Sequence, residues 1–395
     1  MTMPRYWRKR RRRSADTNSK ADYRGGKRLM NGHESSQAGD DKHHGRRELQ
    51  GIMHGVIRDK ATARGAGGYA LLLIAALAIL CVLSVTSIAI GSRSVPLPEV
   101  VRILTDPQMT GVSAEAVRLR IPRMVLGVLV GMALATAGTL LQGMTRNPLA
   151  DPSILGLNGG AAFAIVLSMA TVGLSAPIQY VWVGMLGSCA AAICVWFLGS
   201  IGAKGATPLK MTLAGAVVAA MLSSLTSAIL LPRIDVISSY RFWQVGGLSG
   251  ARFSLMLPIL PIIGIGIGIA VLCLPGLNAL AMGDDLATGL GSRVRTVRFG
   301  AWAAAVMLSA SATALAGPIA FVGLVVPHAA RLLVGSEYKR ILGLSLVLGP
   351  ILLVASDTIG RVLTRPTDVE VGIVTAIIGA PCFILLVRSR RLQQI

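Results

Sequence analysis

The chain has 395 residues, of which 53% are apolar and only 14% charged, with 45 glycines. A soluble domain needs far more polar surface, so the composition excludes one and points to a polytopic membrane protein. The formal net charge of +21 does not signal nucleic-acid binding, because 17 of the 39 Lys and Arg fall in residues 1–68 beside 7 acids and the rest are spread over short loops.

The chain opens on a tail, residues 1–68, that includes RYWRKRRRRS. A block of like charge with few apolar residues predicts disorder. Two readings stand for it: a patch that attracts anionic membrane lipid at the cytoplasmic face, or a topogenic, unstructured extension. The apolar run that follows, Tyr69 to Ile90, is too long for the core of a secretory signal and has the length of a full span. Further runs of span length fall at about 123–143, 153–173, 180–199, 209–231, 254–274, 341–356 and 370–387. The stretch 297–334 would far exceed a hydrocarbon core of ~30 Å as one helix. Gly317-Pro318 supplies a break, because proline removes a donor and disfavours helix in the residue before it. Two spans result, 297–316 and 318–334. The expectation is an all-α polytopic membrane domain, 69–395, with ten transmembrane helices.

Ten is even, so both ends share a side, and the basic tail with the closing RSRR puts that side in the cytoplasm. The outer segments then hold ten arginines and no lysine. Arginine pairs bidentately with carboxylates, which favours recognition of an acidic partner. Arg120 and Arg123 in RLRIPRM lie three apart around Pro122, at the expected outer start of the second span, and can point to one side. Arg361 in DTIGRVL lies on the last outer segment. Snorkelling to lipid headgroups is the alternative for arginine at a span's edge.

Small residues recur in GVLVGMALATAG and GIGIGIA, which lets helix backbones approach in lipid. PLADPSILGLNGGAA and PIAFVGLVVPHAA share a proline, an apolar-Gly-Leu step and an Ala-Ala close. They follow spans of opposite direction, as an inverted repeat requires. The five cysteines (Cys81, Cys189, Cys194, Cys273, Cys382) lie in apolar segments without His or acidic company at ligand spacing. They indicate neither a metal site nor a disulfide framework.

No phosphate-binding loop, zinc-protease motif or Ser-His-Asp set is present. The spans contain scarcely a charge, and no intramembrane acid suggests a proton relay. His328, alone among the spans, has the chemistry of a proton or metal group, but with no partner in the sequence it is read as a structural hydrogen-bonding group beside a proline. The stretch LLQGMTRNPLADPSILGLNGGAAFAI raises a sharper question: why so apolar a chain places Arg146, Asn147, Pro148, Asp151 and Pro152 between two spans. Asp151 with Pro152 suits a helix start, the acid at the positive end of the dipole and proline in the first turn. A capped turn and a functional loop both fit.

RIPRMVLGVLVGMALATAGTLLQGMTRNPLADPSILGLNGGA resembles the signature region of the FecCD family, permeases of ABC importers for iron-siderophores, haem and cobalamin. GPIAFVGLVVPHAARLLVG and VGIVTAIIGAPCFILLV resemble its closing helices, and LNALAMGDDLATGLG its cytoplasmic coupling segment. The similarity runs in order from about residue 70 to the C-terminus; the basic tail is the departure.

That resemblance implies a type II ABC importer permease of ten helices, paired with a second permease subunit, identical or not, around a central pathway. Two ATPase subunits would sit beneath it and use the ATP and Mg, with no cofactor in this chain, and an extracytoplasmic substrate-binding protein would dock above. It implies a ferric siderophore as cargo, with cobalamin or haem as the alternative. Asn147, Pro148, Asp151, Pro152, Asn158 and Gly159 would belong to the cytoplasmic side of the route. Gly283, Asp284, Asp285, Leu286, Ala287, Leu290 and Gly291 would seat on an ATPase, and Arg120, Arg123 and Arg361 would meet acids of the binding protein. The coupling segment also reads this way physically: Gly283 and the paired acids favour a helix start, and LATGLG a short helix ending at glycine. A secondary transporter would call for intramembrane acids, and a membrane enzyme for a polar cluster.

Overall fold

The computed structural model describes residues 65–388 apart from 92–93, 107, 203–206 and 366. Most of the expected disordered tail, 1–64, therefore lies outside the described residues, and Ala66–Gly68 already belong to the first helix.

Every described element is helical. In chain order these are α1 (Ala66–Ala89), α2 (Leu97–Thr105), α3 (Val112–Thr145), a 3-10 turn (Pro152–Leu155), α4 (Leu157–Thr171), α5 (Pro177–Ser200), α6 (Pro208–Leu230) and α7 (Ile234–Gln244). There follow α8 (Phe253–Met256), α9 (Leu260–Ala281), α10 (Asp284–Gly289), α11 (Val294–Ala316), α12 (Val322–Val334), α13 (Tyr338–Leu363) and α14 (Val371–Arg388). Seven of them (α1, α3, α5, α6, α9, α11 and α13) are long and apolar enough to cross a membrane, and α4, α12 and α14 are shorter apolar helices. Each matches one expected span, so the architecture is compatible with ten.

The break in 297–334 falls where the sequence puts it. Helix α11 stops at Ala316, Gly317 takes φ 70°, and α12 begins only after Phe321, itself at φ 68°. The start of the second span is different. Helix α3 begins at Val112 and carries Pro122 inside it. Its 34 residues span roughly 50 Å at ~1.5 Å per residue, well beyond a hydrocarbon core. The polar stretch VSAEAVRLR looks like a loop to a hydropathy reading, but it forms the first turns of that helix, with Ala114 and Val117 packed against α1 and α2.

Helix α3 is the axis of the bundle, enclosed by α11, α12 and α13, whereas α1 and α6 leave most of their surface uncovered. Glycines set the closest crossings: Gly131 lies against Gly349 of α13, and Gly138 against the Gly323 carbonyl of α12. In lipid, such approach replaces the hydrophobic drive that would hold helices together in water. In GIGIGIA only Gly266 serves this way, against Leu308, while Gly264 and Gly268 face open space.

Candidate functional site

Three places along α3 gather the polar side chains. At its C-terminal end, Arg146 occupies the left-handed region (φ 52°, ψ 33°), and its N–H donates to the Gly143 carbonyl. Its guanidinium reaches Asp284 of α10 at 3.2 Å, and Arg298 of α11 meets the same oxygen, Oδ1, at 3.0 Å. Helix α10 forms as its sequence predicts: Gly283 (φ 113°) precedes it, the two acids open it, and Ser292 N–H closes it on the Ala287 carbonyl, with Gly291 at φ 80°. Within the coupling set, Ala287 is fully buried against the bundle, so it does not face outward. Leu286 and Leu290, 62% and 67% exposed and four residues apart, do. Asp285 is exposed beside them.

The second place lies deeper. Asn147 folds the loop back with an Asx turn, its Oδ1 accepting from Leu149 N–H, and both Asn147 and Pro148 stay near the end of α3. The chain then climbs. Asp151 and Pro152 pack against Gly323, beside the Leu134 carbonyl. Leu134 is eleven residues, roughly 16 Å, up α3 from its end. Asp151 and Pro152 therefore lie beside the middle of α3, away from Asn147 and Pro148 at its end. Locally the prediction holds: Asp151 caps the 3-10 turn, accepting from Ser153 N–H and Oγ at 2.9 and 2.5 Å, with Pro152 at the first position. Gly156 (φ 71°) then starts α4, as Phe321 starts α12. Two short helices therefore begin deep in the bundle from left-handed residues, and their approaches meet at Pro152 and Gly323. This is the arrangement expected of an inverted repeat with broken helices. Gln142 Nε2 donates to the Gly323 and Leu324 carbonyls, and Thr313 Oγ1 donates to Asn158 Oδ1. A cavity of about 400 Å³ opens next to them, lined by Asn158, Gly159, Ser223, Ser227, Tyr240 and Trp243 among others. Trp243 Nε1 is buried there without an acceptor among the described residues.

The third place is the opposite end of the bundle. Arg123 Nε and Nη1 donate to Asp357 and Asp368 at 2.9 and 2.8 Å. Arg361 pairs with the other Asp357 oxygen at 3.0 Å and donates to the Ser87 carbonyl and hydroxyl. Arg120 donates to the Ile88 and Ala89 carbonyls. The three arginines are only 7%, 8% and 3% exposed, for Arg120, Arg123 and Arg361 in turn. They are largely enclosed within the subunit, their guanidiniums engaged by groups of the same chain. Arg120 and Arg361 close the C-terminal end of α1, where carbonyls lack helical partners and the dipole is negative.

With this geometry in hand, the relatives are informative. The FecCD transport family model matches residues 77–389. The chain is 41% identical over 315 residues to the ferric enterobactin transport system permease protein FepD of Escherichia coli (strain K12), covering 80% of this chain and 94% of that protein. It is 41% identical over 270 residues to the probable siderophore transport system permease protein YfiZ of Bacillus subtilis (strain 168), covering 68% and 81%. A solved structure described as an inward-facing conformation of a metal-chelate type ABC transporter superposes with TM-score 0.71 at 26% identity, over 81% of this chain and 99% of that one. The chain belongs to the FecCD transport family.

As a FecCD protein it is an inner-membrane permease subunit of the ABC-importer class and not itself an enzyme. Several residues that organise this permease escape a reading of its sequence. Asp357 and Asp368 look like loop acids, because hydropathy ends the ninth span at 356, yet α13 continues to Leu363 and encloses Asp357. Ser87 gives no signal at all. Arg298 reads as one of three basic residues after the coupling segment, and only the turn into α11 directs it to Asp284. His328 Nδ1 is buried without a partner among the described residues, so its expected structural hydrogen bond is not seen there.

Proposed function

We propose that the chain forms, with a second permease subunit, the route by which an ATP-driven importer moves a ferric siderophore across the cytoplasmic membrane. The observation that carries this reading is the cavity beside Asn158 and Gly159. Its size is within the ~300–1,000 Å³ of small-molecule sites. It gathers hydroxyls of Ser223 and Ser227, the Gln244 amide and the Trp243 indole N–H among apolar helices. Lipid satisfies none of these groups, whereas an aqueous route or an oxygen-rich chelate does. The siderophore-transport names of the relatives support the same cargo class.

In this reading the Arg146–Asp284 end is cytoplasmic, together with both chain termini. Leu286 and Leu290 seat in a groove of an ATPase subunit, two copies of which use the ATP and Mg. The opposite end receives the substrate-binding protein on a rim that Arg120, Arg123 and Arg361 brace from within. The test is uptake of labelled ferric siderophores and labelled cobalamin by cells with and without the gene. Loss of one ferric chelate with intact cobalamin uptake is expected; loss of cobalamin uptake with normal chelate use would overturn the cargo assignment.

A further inference from the structure

Arg146 stands at a position where its residue type is costly. The residue after a helix C-terminus that turns left-handed is ordinarily glycine or asparagine. Arg146 and Phe321 are the non-glycine residues with positive φ among the described ones. A strained backbone persists when surrounding contacts hold it, and it gathers at working sites. Beyond its own N–H on the Gly143 carbonyl, Arg146 meets Asp284, and Arg298 shares the same carboxylate oxygen. The node therefore joins three elements: the end of α3, the N-terminus of α10 and the N-terminal part of α11. It is also weakly built, since the Arg146 and Asp284 side chains are 39% and 41% exposed, and such pairs contribute little to stability. It suits a connection better than a lock.

What the connection leads to is equally specific. Five residues beyond Arg146 the same loop reaches Asp151 and Pro152, wedged against Gly323 where α4 and α12 begin. The loop is short, prolines at 148 and 152 stiffen it, and its ends are fixed at different depths. We infer that Arg146 is a positioning residue for energy coupling. Through Asp284 it ties α10 to the 146–152 loop, so that displacement of α10 is passed to the junction of the two broken helices inside the bundle. This rests on the proposal that α10 seats on an ATPase subunit, and it answers why a charged, proline-bearing loop interrupts these spans.

The test uses the complete importer, permease with ATPase and binding protein, in proteoliposomes, reading chelate transported per ATP hydrolysed. Arg146→Gly removes the guanidinium while relieving the left-handed strain, so folding is preserved or improved. The expected result is a fall of roughly fivefold or more in transport per ATP, with complex assembly unchanged. Arg146→Lys, which keeps the charge within reach of Asp284, should retain most of the ratio. An unchanged ratio in Arg146→Gly overturns the inference, as does an equal loss in Arg146→Lys. If Leu286→Asp leaves ATPase association intact, the seating proposal fails instead. An unchanged Arg146→Gly ratio alongside lost association in Leu286→Asp would remove only the role of Arg146.

Discussion

The two ends of α3 use the same chemistry, arginine against aspartate, to opposite effect. At the Asp357 end the side chains of Arg123, Arg361 and Asp357 are no more than 10% exposed, and one carboxylate serves two guanidiniums while Asp368 and Ser87 take up further donors. At the Asp284 end one carboxylate again meets two guanidiniums, but in half-exposed surroundings. Burial decides the difference. An enclosed charge that loses its partner is left unsolvated, whereas an exposed one turns to water. The first network fixes α1, α3 and α13 in place; the second can break and re-form at little cost.

The largest effect should come from breaking the enclosed network. Replacing Asp357 with alanine leaves Arg123 and Arg361 facing each other without their common acid, and should cost about 3–5 kcal/mol. Thermal unfolding of the purified permease or its yield in the membrane would register this; near wild-type stability would show that the network is not closed as described. Next in size is the outward face of α10. Charging Leu286 and Leu290 together to aspartate forfeits about 1.5–3 kcal/mol of burial per side chain, so ATPase association should weaken by a hundredfold or more. Pull-down of the ATPase with unaltered membrane insertion checks it. Tryptophan at Ala287 should instead disrupt the subunit itself, because that side chain faces the bundle.

A smaller effect is expected at Arg120. Its alanine variant removes a donor from the Ile88 carbonyl, leaves the Ala89 carbonyl to Val95 N–H and takes the cation from the end of α1, a loss of about 1–2 kcal/mol. Binding-protein association should then weaken only to the extent that the rim loosens, measured at high and low salt. A strongly salt-dependent loss would return Arg120 to direct docking. The smallest stability change belongs to Asp284→Asn, within about 1 kcal/mol, measured as the melting temperature.

Much of this architecture is readable from residues alone, and the reasons for the exceptions are physical. The spans announce themselves because lipid demands long apolar runs, and Gly317-Pro318 breaks a helix wherever it occurs. Asp151 and Pro152 are recognisable as a helix start, since capping is local. Their depth is not, because the climb from Arg146 is set by packing against Gly323, a residue far away in the chain. Arg120, Arg123 and Arg361 stand out in the sequence as surplus cations on one side. Their burial depends on Ser87, Asp357 and Asp368, which hydropathy cannot bring to them. For the coupling segment the short helix is legible, but which of its residues face outward is not, and Ala287 and Leu286 exchange the roles that side-chain size alone would give them.

The contrast between the two ends is tested most directly by thermal unfolding of the purified permease carrying either Arg123→Gln or Arg146→Gly. Arg123→Gln should melt well below the wild type, because Asp357 and Asp368 lose an enclosed partner, while Arg146→Gly should melt at or above it. Equal melting temperatures for the two variants, or a lower one for Arg146→Gly, would contradict the assignment of stability to one end and coupling to the other.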